Sequence, residues 1–143
     1  MQSLVITLAV LLFLQVHAFD LPDASWTPED YACMSELNIE KKTVETFFSE
    51  NIEAEVGNSL MDSYSECWNK KMNFLNEEGE FNFDNFHGYI VRELFIQYGK
   101  NDIENKEEVA HNAVQQCKEI KGSNPGELSN KIFNCVNKYI RSL

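Results

Sequence analysis

Beyond the first 18 residues, the side chains with the most chemistry available to them are Cys33, Cys67, Cys117 and Cys135, with His87 and His111. The cysteines follow the pattern C-x33-C-x49-C-x17-C, with no CxxC and no Cys/His pair at zinc-ligand separation, so no metal site is expected. Neither histidine adjoins a cysteine as in the Cys-Cys-x-x-His arrangement of secreted phospholipases. G-x-S-x-G, HExxH and a glycine-rich phosphate loop are all missing, and the glycines at 57, 79, 88, 99, 122 and 126 are scattered singly. A lone helix histidine is more often a packing or surface residue than a base. The expectation is therefore a protein that is not an enzyme and takes no cofactor. The acid-rich stretch 76–84 does not make a calcium loop: with Gly79 at loop position 6, Phe74 falls at position 1, where a carboxylate is required.

What the cysteines do depends on the compartment, and the N-terminus speaks to that. Residues 4–14 (LVITLAVLLFL) are apolar apart from Thr7, too short for a membrane span of ~20 residues. Val16 and Ala18 place small residues at −3 and −1 of a signal-peptidase site, so residues 1–18 are read as a signal peptide and residues 19–143 as one secreted domain. In an oxidising compartment an even number of cysteines argues for two disulfides, with three pairings open. The 12 Lys and Arg against 23 Asp and Glu give a net charge of −11, all of it after residue 18. A surface that acidic repels nucleic-acid phosphates and anionic lipid headgroups, so neither nucleic-acid binding nor membrane insertion is expected. No N-x-S/T acceptor occurs, since Asn58-Ser59 is followed by Leu60.

The elements that must position these residues all read as helices. Thr27-Pro28-Glu29-Asp30 supplies an N-cap, a first-turn proline and first-turn acid for a helix running through Cys33 to about Leu37. Ile39, Val44, Phe47 and Phe48 suggest a second, short amphipathic piece. Met61, Tyr64, Trp68, Met72 and Leu75 recur at three and four residues, predicting a third helix from about Asn58 to Leu75, closed by the turn at 76–79. Asn82 can cap a fourth, reaching Tyr98 with a wide apolar stripe. Asn105 with Glu108 has capping-box spacing for a fifth, and Asn124-Pro125 opens a sixth whose apolar row includes Leu128, Ile132, Val136 and Tyr139. No alternating run is long enough for a strand. The fold class is all-α: a single domain of about six short helices.

The apolar side is rich in rings: nine of the ten phenylalanines, all five tyrosines and both tryptophans follow residue 18. These residues either fill the core of a small bundle or leave an apolar cavity between short helices, and periodicity does not separate the two.

The leader, the helical pattern and the cysteine order together resemble the insect odorant-binding proteins, in their four-cysteine "minus-C" form. Where six-cysteine members carry their second and fifth cysteines, this chain has Ser63, four before Cys67, and Gly126, nine before Cys135. The stretch from Cys67 through Lys70, Phe74, Leu75 and Asn76 to Gly79 is similar to the family's "C-x-x-K-x-x-G-F/L-x-N-x-x-G" segment. The gap from Cys67 to Cys117 is longer than usual, which residues 93–104 would account for. The resemblance implies the pairing Cys33 with Cys67 and Cys117 with Cys135. It implies six helices around an apolar pocket, and reversible carriage of a small hydrophobic odorant- or pheromone-like molecule by a monomer or weak homodimer. The residues expected to line that pocket are Tyr64, Trp68, Phe83, Phe86, Ile90, Leu94, Val114, Phe133, Val136, Tyr139 and Ile140, with Tyr64 and Tyr139 as candidates to bond a ligand oxygen. Loss of the third bridge implies mobility around Ser63 and Gly126. A salivary or venom scavenger of amines or lipid mediators on the same fold, and a helical interaction protein with a filled core, are the alternatives.

Overall fold

Thr27 opens the first helix, α1 (Pro28–Leu37), by a reciprocal bond: its hydroxyl accepts the Asp30 N–H at 3.3 Å while the Asp30 carboxylate accepts the Thr27 N–H at 2.6 Å. The computed structural model in which this is seen describes residues 20–143, and the signal peptide expected at residues 1–18 lies outside them. Asn38 turns into the left-handed region at φ 53° and ends α1, and a short α2 (Lys41–Glu45) follows. Asn58 caps α3 (Ser59–Lys71) through the N–H groups of Leu60 and Met61.

The third helix stops a turn before the Leu75 that the apolar period predicts. Asn73 adopts φ 59°, a left-handed conformation that asparagine tolerates, and the N–H groups of Phe74 and Leu75 fold back onto the Asn69 carbonyl. Leu75 then pairs with Phe81 in a single antiparallel bridge across the 76–79 turn. Asn82 caps the next helix as expected. Phe83–Tyr89, a π-helical Ile90–Leu94 and Phe95–Gln97 run on without a break as α4. The wider π turn lets Leu94 and Phe95, neighbours in sequence, both be fully buried.

The fifth helix, α5 (Lys106–Cys117), forms without the expected capping box. Asn105 sits at φ 56° and makes no side-chain cap bond, because a capping side chain needs the extended backbone that this residue has left. Asn124 and Pro125 open α6 (Pro125–Arg141) as read, the asparagine accepting the Glu127 N–H at 2.8 Å. The described residues are thus all-α.

Helix α3 packs along α6, α1 against α3, and α5 against α6. One disulfide, Cys33–Cys67, ties α1 to α3, and the other, Cys117–Cys135, ties the end of α5 to α6. Near Ser63 and Gly126, the closeness of two backbones does the holding. A Cβ on Gly126 would stand 1.9 Å from the Asp62 carbonyl oxygen, so only glycine lets α6 begin directly on α3. The buried Asp62 carboxylate accepts from Asn124 at 3.0 Å and Asn130 at 3.2 Å across the same contact.

Buried apolar side chains form two clusters. One gathers Phe86, Ile90, Leu94, Phe95, Ala113, Val136 and Ile140 from α4, α5 and α6, and the other gathers Cys33, Met34, Val44, Phe47, Met61 and Tyr64 around α1 and α3. Trp68 and Phe133 pack against both.

Candidate functional site

Helices α1, α3, α4 and α6 surround a cavity of about 110 Å³, closed further by Trp26 and by Phe48, Ile52 and Ala54 of the loop between α2 and α3. An apolar cavity of roughly 150 Å³ holds a benzene-sized molecule, so the space suits a compact ligand. Its wall is largely aromatic. The Trp68 ring meets Phe74 at 5.8 Å and Tyr89 at 6.2 Å between centroids, tilted and edge-on arrangements that fix the wall's shape.

The covering loop is clasped by one face of α6. Asn134 accepts the Ala54 N–H at 2.7 Å and donates to the Ala54 carbonyl at 2.8 Å. Three residues on, Asn137 donates to the carbonyls of Asn51 and Ile52 at 3.1 and 3.0 Å, and Arg141 reaches Glu53 at 3.4 Å. The spacing of three and four puts all three on one side of the helix. The clasp holds Ile52, a cavity residue, at φ 58°, where a β-branched side chain costs about 1–3 kcal/mol.

Polar groups gather where α1 approaches α3. Asp30 is buried and accepts three hydrogen bonds: the Thr27 N–H, the Thr27 hydroxyl at 2.9 Å, and the Tyr64 hydroxyl. Trp68 donates its indole N–H to the same Thr27 hydroxyl oxygen at 3.2 Å, so the α1 cap also fixes a cavity ring. Burial, then the Asp30 charge and hydrogen bond, push the Tyr64 phenol far above the ordinary tyrosine range, and burial raises Tyr89 as well. Both phenols are neutral at physiological pH. Ser65, Asn69, Ser129 and Asn130 also line the wall, with their donors committed to protein acceptors: Ser65 to Asn130, Asn130 to Asp62, Asn69 to the Ser65 carbonyl and Ser129 to the Pro125 carbonyl.

Of the residues expected to line a pocket, Tyr64, Trp68, Phe86 and Phe133 border this cavity. Ile90, Leu94, Val136 and Ile140 have no exposed surface and Val114 has little; all five belong to the packed core of α4, α5 and α6. Phe83 and Tyr139 lie half-buried against that core, and none of these seven reaches the cavity wall. The Tyr64 hydroxyl proton, expected to face a ligand, is donated to Asp30. Sequence reasoning passed over Trp26, Asp30, Met61 and the polar wall residues. Met61 belongs to the apolar row with Tyr64 and Trp68, while Ser65 and Asn69 follow it at spacings of four, and polar residues at such positions read as a solvated face. His87 Nε2 sits 3.5 Å from Glu107, His111 is exposed, and neither borders the cavity. Among the described residues no His, Cys, Asp or Glu group is placed to hold a metal, and no helix is long and apolar enough to cross a membrane.

A family model described as the PBP/GOBP family matches residues 27–139, from the Thr27 cap into the last turn of α6. Its members are secreted carriers of small hydrophobic molecules and not enzymes. No match is found among curated proteins or among solved structures.

Proposed function

Because the chain belongs to the PBP/GOBP family of insect odorant-binding proteins, its two disulfides fitting the minus-C type, we propose that it is a secreted carrier that takes up a small hydrophobic molecule reversibly in the cavity between α1, α3, α4 and α6. The observation that carries this reading is the aromatic wall itself. Trp68, Phe86, Tyr89 and Phe133 converge on one space instead of filling it. Removing some 200 Å² of ligand surface from water there supplies about 5 kcal/mol, enough for reversible binding before the entropy of association is subtracted. Tyr64, Trp68, Phe86 and Phe133 are the contacts within the expected set. The acidic exterior keeps the loaded carrier soluble and takes no part in binding.

Titration of the purified, oxidised protein with an environment-sensitive apolar dye tests this. Saturable binding near one site per chain, displaced by alcohols or esters, is the expected result; no saturable binding overturns the carrier and leaves an interaction protein. The buried Asp30 carboxylate on the wall favours one second reading, a scavenger of amines, which displacement by amines alone would single out. Secretion is tested by sequencing the N-terminus of protein exported from insect cells, with Phe19 expected as the first residue.

A further inference from the structure

We infer, resting on the carrier reading, that the cavity selects an apolar alcohol, with its hydroxyl at the end formed by Trp26, Asp30 and Tyr64, and turns away the carboxylate of the same skeleton. The lining contains one carboxylate, Asp30, and no lysine, arginine or histidine. The nearby Lys41 lies 4.8 Å over the Trp26 ring, pairs with Asp23 at 3.4 Å and does not border the cavity. An anionic ligand would enter beside a like charge with no cation to meet it, and low-dielectric walls strengthen that repulsion.

Hydrogen-bonding capacity at this end narrows the choice. An ionised carboxylate offers about four lone-pair sites, and Asp30 uses three of them. One site on Oδ1 stays free, as does a lone pair on the Tyr64 oxygen, whose proton is committed to Asp30. Both are acceptors. The complementary donor is Trp26, one residue before the Thr27 cap, whose indole Nε1 is buried and has no protein partner. A buried unpaired donor on a cavity wall is a group waiting for an acceptor. A hydroxyl both donates and accepts and so answers both sides. An ester or ketone only accepts; an ammonium is attracted by Asp30 but only donates, leaving the Trp26 N–H unpaired and giving up its own hydration; a carboxylate only accepts and is repelled.

The test is competition of the bound dye at pH 7 by 2-phenylethanol, 2-phenylethylamine, phenylacetate and ethylbenzene, which share one ring and a two-carbon arm. Phenylethanol should be tightest, and phenylacetate at least about tenfold weaker. Trp26→Phe keeps a ring and removes an N–H that no contact of the fold uses. It should weaken phenylethanol about fivefold more than it weakens ethylbenzene. Tyr64→Phe, with helicity and urea denaturation as the check on folding, should weaken phenylethanol similarly. Phenylacetate within threefold of phenylethanol, the amine binding more tightly than the alcohol, or Trp26→Phe weakening ethylbenzene as much as the alcohol overturns the selection while the carrier stands. If the dye itself does not bind saturably, the carrier reading falls and the selection falls with it.

Discussion

On the side where α4, α5 and α6 meet, Ile90, Leu94, Phe95, Ala113, Val136 and Ile140 have no exposed surface, whereas on the α1–α3 side rings stand around a space with Asp30, Ser65, Asn69 and Asn130 buried among them. Branched aliphatic side chains and alanines interlock to crystal-like density, so the first region is filled. The rings of Trp68, Phe86, Tyr89 and Phe133 border a space, and polar neighbours bonded to one another do not collapse into it. Each region has its own disulfide, and Trp68 and Phe133 touch both clusters. The filled region is therefore the abutment for two walls of the hollow one, and the two should separate experimentally into stability and binding.

The largest effects should come from the bridges. Removing Cys33–Cys67, with a sequence separation of 34, should lower unfolding free energy by about 4 kcal/mol, and removing Cys117–Cys135, with 18, by about 3 kcal/mol. Urea denaturation of the paired Cys→Ala variants measures both. Where the fold survives, dye affinity should fall more for the α1–α3 bridge, and equal losses would erase the functional division between the regions.

A pair of truncations tests the division more directly. Leu94→Ala in the filled core should cost about 3 kcal/mol and leave dye affinity within about twofold. Phe133→Ala, half-buried on the cavity wall, should cost about 1–2 kcal/mol and change dye affinity at least about fivefold. The reverse pattern would move the binding site into the α4–α6 core. Smaller again, Asn137→Ala releases the carbonyls of Asn51 and Ile52 for about 1 kcal/mol. Amide exchange in residues 50–54 should quicken while α5 is unchanged; unchanged exchange in the loop would mean that the Asn134 pair alone holds it.

The same contrast explains what was legible in the sequence. Helix starts were readable because they are local: Thr27 with Pro28, Asn82 and Asn124 cap as their spacing says. Asn105 misled because an identical residue type took the left-handed backbone, a choice set by the preceding loop. Four of the pocket expectations fall on the cavity wall and seven do not, since an apolar row on α4 or α6 has the same period whether it faces α5 or a space. From the sequence, Asp30 reads as first-turn acid only. Its second role, supporting Tyr64 thirty-four residues away, depends on a helix crossing that the chain encodes through the Cys33–Cys67 contact.

Tyrosine ionisation gives the finest comparison, because it has no effect at neutral pH. Burial raises the phenols of Tyr64 and Tyr89 on the cavity wall and of Tyr98 beside the filled core. Their folded values lie above the unfolded value of about 10, so the folded state holds more protons than the unfolded state in alkali. The stability these groups contribute is fully present below about pH 10 and declines as pH rises beyond it. Followed by absorbance near 295 nm, the three buried phenols should stay protonated above pH 10 until the chain opens. A saturating cavity ligand should delay Tyr64 and Tyr89, whose ionisation requires water to enter the space it occupies, more than Tyr98, which yields when the packed side unfolds. Ionisation of all five tyrosines together near pH 10 with helicity retained would mean that water already reaches the ring-lined wall.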